Sequence, residues 1–278
     1  MVKRLFHELT GRLSRITDDP RFEAEVIFQT VFGRDWRLKE LSGRLAEPSA
    51  SELEALGKLE KRRLSGEPLQ YIVGEWEFYG LTLKVAEGAL IPRQDTERLV
   101  DVSLGLIEEI PRPRILDLCS GTGCIALAIK SRRPDAEITA LELYPAAYEI
   151  LRENCRRYGG VEPLRADALK PQTAEGFSGL DLITANPPYL TAGDMNELQR
   201  ELEFEPKTAL FGGADGLDFY RAISKVWHRS LREGGYIALE IGAAQKEAVS
   251  AILKSSGWRE IRVENDLAGK PRVAIGRK

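Results

Sequence analysis

From about Arg112 onward, short apolar runs alternate with stretches of helical periodicity, and few folds accommodate that alternation. Arg114–Leu118, Glu137–Leu141, Val161–Arg165, Leu180–Ala185, Gly235–Ile241, Ile261–Val263 and Arg272–Ile275 read as strands. Cys124 to Lys130 reads as a helix, and Pro145 opens another at a first-turn position that proline favours. Strand–helix alternation predicts an α/β fold with a parallel sheet and helices on both faces. The last two runs are joined too tightly for a crossover helix, so one of them is expected to run antiparallel.

The first third has a different grammar. Arg21 to Gly33 carries Phe22, Ile27, Val31 and Phe32 and stops at a glycine. Ser49 and Ser51, followed by Glu52 and Glu54, give capping-box spacing before Leu53, Leu56 and Leu64, with Gly66 and Pro68 ending the segment. Tyr71-Ile72-Val73, Trp76–Tyr79 and Leu81–Val85 are β-rich and separated by single glycines, which suggests a small hairpin linking two domains. The 278 residues also suit two domains at roughly 150 residues each. The expected division is a helical domain over 1–68, a β-hairpin linker over 69–90 and the α/β domain over 91–278.

Composition narrows the function classes. Forty Lys and Arg against 43 Asp and Glu leave a net charge of −3, so no overall basic field draws the chain to nucleic acid or acidic lipid. Cys119, Cys124 and Cys155 are too few for a disulfide framework, and His7 and His228 stand beside none of them, so no metal site is expected. The charged N-terminus lacks a signal-peptide core, and no run approaches the ~20 apolar residues of a membrane helix. A reduced, cytoplasmic protein is expected.

Asp117-Leu118-Cys119-Ser120-Gly121-Thr122-Gly123-Cys124-Ile125-Ala126 sits where the first strand turns into a helix. Glycines there let backbone approach a ligand closely, and the helix N-terminus favours its negative groups. Gly121, Gly123 and Ala126 fit the dinucleotide fingerprint, and Glu142 ends the next strand, where a carboxylate accepts hydrogen bonds from ribose hydroxyls. Asp167, just after the third strand, is placed to accept from an adenine amino group; a turn aspartate would look the same. The pattern alone does not separate NAD from S-adenosylmethionine.

Asn186-Pro187-Pro188-Tyr189 follows the buried run Asp181–Ala185 at once, at the strand end where open α/β sheets bind ligands. The prolines stiffen the segment and remove two amide donors. The Asn186 side chain offers a neutral oxygen acceptor, and a planar NH2 group fits between it and the Pro187 carbonyl, with Tyr189 against its flat face. An amide or aryl-amine nitrogen is a poor nucleophile because its lone pair is delocalised. Two acceptors gripping its hydrogens push density onto nitrogen and aim it at an electrophilic methyl. The bland alternative is an Asn-Pro-Pro turn with a surface tyrosine.

Taken together, these segments resemble the release-factor glutamine methyltransferases, the HemK family. The resemblance runs from about Gly66 to the C-terminus. It rests on Gly66–Gly74, the entrance signature Leu90–Glu97, the cofactor loop, Asn186–Tyr189, Phe204–Gly213, Asp215–Tyr220 and Asp266–Lys270. It implies a Rossmann-like S-adenosylmethionine-dependent methyltransferase domain behind a small N-terminal helical domain that helps dock the substrate. It also implies S-adenosyl-L-methionine as cofactor and, as substrate, the glutamine of the Gly-Gly-Gln motif of class 1 peptide-chain release factors. Carried over by position, Cys119, Ser120, Gly121, Thr122 and Gly123 would cradle the methionine end. Glu142 would hold the ribose, and Asp167 with Ala168 would meet the adenine. Asn186 and Pro187 would grip the amide, with Asn186 also bordering the cofactor and Pro188 and Tyr189 completing the substrate site. Three positions depart from the family pattern: Gln94 where proline is usual, Glu142 where aspartate is common, and Ala168 where a bulky residue often stands.

Other readings explain less. An amino-methyltransferase acting on adenine or cytosine would use the same tetrapeptide, but it needs a basic face and room for target recognition. An NAD-dependent oxidoreductase would leave Asn186–Tyr189 without a task. A non-catalytic cofactor-binding module would not need an intact Asn186 and Pro187.

Overall fold

The computed structural model describes residues 2–197 and 200–278, and the chain divides into two compact units. Residues up to Glu75, with Arg200–Phe204, make the first; the rest make the second. The first unit holds α1 (Val2–Leu13), α2 (Pro20–Phe32), α3 (Trp36–Leu41), α4 (Ala50–Leu64) and α5 (Leu69–Val73). Asp19 caps α2 by accepting from the Phe22 amide, and Pro20 stands in the first turn. Gly33 at φ +89° ends that helix. The capping box at Ser49 and Glu52 forms in both directions. Phe28 packs with Phe6 and Trp36 at ring-centroid distances of 5.2 and 5.1 Å. The buried Arg63 guanidinium donates to both Glu23 carboxylate oxygens, at 2.6 and 2.9 Å, and pairs also with Glu201.

Tyr71-Ile72-Val73, expected as a strand, is the end of α5. Pro68 stands at the N-cap and Gly74, in the left-handed conformation, closes the turn. Proline before the first turn and a left-handed glycine after the last override the β-propensity of three residues. The hairpin itself is β1 (Glu75–Phe78) and β2 (Leu81–Lys84). Tyr79 and Gly80 both have positive φ, 51° and 80°, as a two-residue hairpin turn with matching twist requires.

Along the second unit follow α6 (Glu97–Leu106), β3 (Arg114–Leu118), α7 (Cys124–Arg132), β4 (Glu137–Glu142), α8 (Pro145–Tyr158) and β5 (Val161–Arg165). Then come α9 (Pro171–Ala174), β6 (Leu180–Ala185), α10 (Lys207–Leu210), α11 (Asp218–Val226), β7 (Leu231–Glu240), α12 (Lys246–Ser255), β8 (Arg259–Asn265) and β9 (Pro271–Arg277). The sheet order is β5-β4-β3-β6-β7-β9-β8. β3 to β7 pair in parallel, and β9 runs antiparallel between β7 and β8, as the short last connection requires.

Adjacent residues face opposite cores. Ile115 belongs to the cluster with Leu99, Ile125 and Leu151 from α6, α7 and α8. Leu116 belongs to the one with Ile223 and Val249 from α11 and α12. Both faces are therefore covered, which is why the central parallel strand β6 is buried along its whole length and reads as a largely apolar run. From β3 the chain winds outward through β4 and β5, then returns to β6 on the other side. The carboxyl ends of β3 and β6 thus flank the switch point where such sheets bind ligands. No helix among the described residues is long and apolar enough to cross a membrane.

Candidate active site

A pocket opens at that switch point. One wall is the turn after β3. Cys119, Gly121 and Gly123 all have positive φ, 56°, 54° and 82°, and the turn is pinned by Ser120 N–H to the Leu141 carbonyl and Gly123 N–H to the Ser120 carbonyl, at 3.0 and 2.7 Å. A Cβ at Gly121 would meet nothing within 4 Å, whereas one at Gly123 would lie 2.5 Å from Leu151 Cδ1. The first glycine leaves space for a ligand; the second lets α7 pack on α8.

Glu142, at the end of β4, accepts from the Gly121 and Tyr144 amides, both at 2.9 Å. Burial raises its pKa against those two bonds. Each carboxylate oxygen keeps a second lone pair, and the side chain lines the pocket. Asp167 accepts from the Leu169 amide at 2.9 Å. The Ala168 carbonyl accepts from Trp227 Nε1 at 2.7 Å, so that oxygen is already engaged and its amide is the group left to meet a base. Cys119 carries a thiol that burial, helped by the charges of Glu142, Asp117 and Asp167, pushes well above its usual range. It is a neutral wall residue, not a thiolate nucleophile.

Asn186 stands one residue past β6, with Nδ2 donating to Thr96 Oγ1 at 3.2 Å. The next residues are clamped from behind. Gln245 Nε2 donates to the Tyr189 carbonyl at 3.0 Å and to the Gly216 carbonyl at 3.2 Å. A Cβ at Gly212 would lie 2.6 Å from the Pro188 carbonyl oxygen. Burial and the Glu240 charge push the Tyr189 phenol up to about 12, so it stays protonated.

Cys119, Ser120, Gly121, Thr122, Glu142, Asp167, Ala168, Asn186 and Pro188 therefore share one pocket. Gly123, Pro187 and Tyr189 are not among its lining residues: Gly123 is the N-cap of α7, and Pro187 is buried.

Four groups were missed from the sequence. Asp117 on β3 is fully buried, accepting from Thr184 Oγ1 at 2.8 Å, and burial raises it to about 7. Thr96 and Gln245 hold the Asn186–Tyr189 segment, and Glu240 ends β7 as a buried carboxyl. The entrance signature has a structural use too: Glu205 accepts from the Ile91 amide at 3.0 Å and pairs with Arg93. Arg272 bridges Asp95 and Asp266 at 2.9 and 3.1 Å. Asp117, Arg93, Asp95, Thr96, Glu205 and Asp266 lie in segments that stood out in the sequence, but none of those segments pointed to a partner.

The sheet and its pocket define a class, the Rossmann-like methyltransferases that use S-adenosylmethionine. Residues 99–209 match the family profile described as "Methyltransferase small domain", and residues 4–74 match "PrmC N-terminal domain". Among solved structures, the hMettl16 catalytic domain aligns with a TM-score of 0.58 at 17% identity, covering 79% of this chain and 81% of that one. A methyltransferase from Pyrococcus furiosus aligns at 0.53 and 16% identity, covering 72% and 90%; both show the fold. Three curated relatives carry the description "Release factor glutamine methyltransferase". That of Thermodesulfovibrio yellowstonii is 41% identical, covering 84% of each chain. That of Vibrio cholerae is 38% identical over 94% of this chain and 90% of its own. That of Salmonella typhimurium is 34% identical over 98% and 96%. The chain belongs to the release factor glutamine methyltransferase family.

Proposed function

We infer that the chain methylates the side-chain amide nitrogen of the Gly-Gly-Gln glutamine of class 1 release factors, in the cytoplasm, with S-adenosylmethionine as methyl donor. The observation that carries this reading is the placement of Asn186 at the switch point, on one pocket with the glycine turn and Glu142. The pocket's chemistry suits the donor: Glu142 and Asp167 present carboxylates to a cationic ligand, and Gly121 leaves open space beside them. When bound, the cofactor supplies a methyl group on a positively charged sulfur.

The chain's own residues do the rest. Glu142 would accept from the ribose hydroxyls, Asp167 and the Ala168 amide would meet the adenine edge, and the backbone of Cys119–Gly123 would lie along the methionine end. Asn186 Oδ1 and the Pro187 carbonyl accept the two amide hydrogens of the glutamine, and Pro188 and Tyr189 bound its flat face. As nitrogen takes the methyl it becomes cationic and its hydrogens more acidic. The two acceptors therefore bind the transition state more tightly than the ground state, which raises kcat. The C–N bond forms as the donor's C–S bond breaks and leaves a neutral thioether. No strong base is required, because the proton leaves to water only after nitrogen has become cationic.

Incubation with cofactor and a purified class 1 release factor, followed by tandem mass spectrometry, tests the assignment. One methyl group on the Gly-Gly-Gln glutamine is expected. Methyl on another residue, or only on added nucleic acid, would overturn it.

A further inference from the structure

An asparagine amide has two faces, and only one is useful here. If Nδ2 rather than Oδ1 faced the substrate, a donor would meet a donor and the glutamine NH2 would lose its acceptor. Something in the fold must fix the orientation. Ala185 on β6 pairs in parallel register with Leu239 on β7, and both side chains lie in the core on the α11 and α12 face. The next pair, Asn186 and Glu240, therefore points to the opposite face, toward the start of α6, where Thr96 sits. Thr96 and Glu240 are each 2% exposed, and Thr96 Oγ1 receives Asn186 Nδ2. Glu240 Oε2 has no hydrogen-bond partner. The backbone around the carboxyl is fixed, since its own carbonyl accepts from Tyr220 Oη at 2.9 Å.

We propose that Glu240 and Thr96 are positioning residues that hold the Asn186 amide nitrogen away from the substrate and so present Oδ1 to the glutamine NH2. A carboxylate accepts and never donates, so it tolerates Nδ2 beside it and repels Oδ1. The threonine hydroxyl completes the arrangement by accepting from Asn186 while its own hydrogen turns to Glu240. Burial raises the Glu240 carboxyl to about 7, with the Asp95 charge adding to it, against hydrogen bonding from Thr96 and Asn186 and the nearby Arg272 charge. The carboxylate form that fixes Asn186 is therefore the major one above that pH. Glu240 lies outside the pocket's lining and Thr96 borders it beside Asn186; both act through Asn186.

The proposal rests on the glutamine-methylation reading, and its test separates the two. Wild-type enzyme is first assayed with a class 1 release factor; no transfer there would sink the functional reading before any variant is made. With transfer established, Glu240→Gln and Thr96→Val are compared for kcat, release-factor KM and cofactor Kd. In Glu240→Gln the introduced amide can donate as well as accept, so Asn186 is free to turn over. The expected result is a kcat loss of about tenfold or more for Glu240→Gln and about threefold or more for Thr96→Val. Release-factor KM should stay within about threefold, and cofactor Kd within about twofold. The side-chain 15N resonance of Asn186, identified by its absence in Asn186→Ala, should shift in Thr96→Val. Unchanged kcat in the folded variants would overturn the proposal. So would loss of cofactor affinity in step with kcat, which marks general disruption of the site. If Glu240→Gln does not fold, Thr96→Val decides alone.

Discussion

Gly121 and Gly123 stand two residues apart in one turn, yet they serve different ends. Alanine at Gly123 would adopt a left-handed conformation and drive its Cβ into Leu151, so Gly123→Ala is expected to lower stability by about 2 kcal/mol or more. Urea unfolding would show it. Alanine at Gly121 meets open space, and there the loss should appear in cofactor Kd by calorimetry, several-fold, with a smaller drop in stability of about 1 kcal/mol. Asn186→Ala should keep cofactor affinity within about twofold and lose methyl transfer by a hundredfold or more; normal turnover would refute the proposed grip on the amide. Much of this site was legible in the sequence because its residues lie in short continuous motifs, Cys119–Gly123 and Asn186–Tyr189, or at a strand end, as Glu142 does. Thr96 and Glu240 were not. Their role depends on the parallel register of β6 and β7 and on where α6 starts, and neither follows from local spacing. A glutamate closing a strand looks like any other strand residue until its neighbour across the ladder is known.

At the scale of elements, the hairpin and the cofactor turn share a support. Asn154 on α8 is fully buried. It accepts from the Lys84 amide at 2.8 Å and donates to the Lys84 carbonyl at 3.0 Å and the Thr122 carbonyl at 2.9 Å. Asn154→Ala would leave three backbone groups without that partner. It should destabilise the protein by about 2–4 kcal/mol in chemical unfolding and weaken cofactor binding through the loosened turn. A loss below about 0.5 kcal/mol would show that the neighbours re-pair without it. The central strands were the most readable, because β6 is buried along its whole length and β3 nearly so, and both are largely apolar, whereas the edge strands β5 and β8 are partly exposed and carry charges. The turn of helix at Leu69–Val73 was misread because three β-prone residues outweighed the signals of Pro68 and Gly74 on either side. β7 begins earlier than expected, at Leu231, because Arg232 and Glu233 are exposed and break the apolar run.

Across the whole molecule, buried carboxyls set part of the pH response. Asp117 is raised to about 7 by burial, with the Glu142 charge adding to it and Thr184 and Ser120 opposing. A group raised in the folded state binds more protons there than in the unfolded chain, between the ordinary aspartate range near 4 and about 7. Its contribution to stability is complete below that window and is lost as pH rises through it. Asp117→Asn removes the titration while leaving an oxygen for Thr184. Its stability relative to wild type should therefore rise between about pH 4 and 7 and level off above. A difference that does not change across that interval would contradict the assignment.

The most direct test uses methyl-labelled S-adenosylmethionine and a purified class 1 release factor, either intact or with its Gly-Gly-Gln glutamine replaced. Label entering the intact factor and not the replaced one is the predicted result. Equal labelling of both, or labelling of neither, would contradict the account.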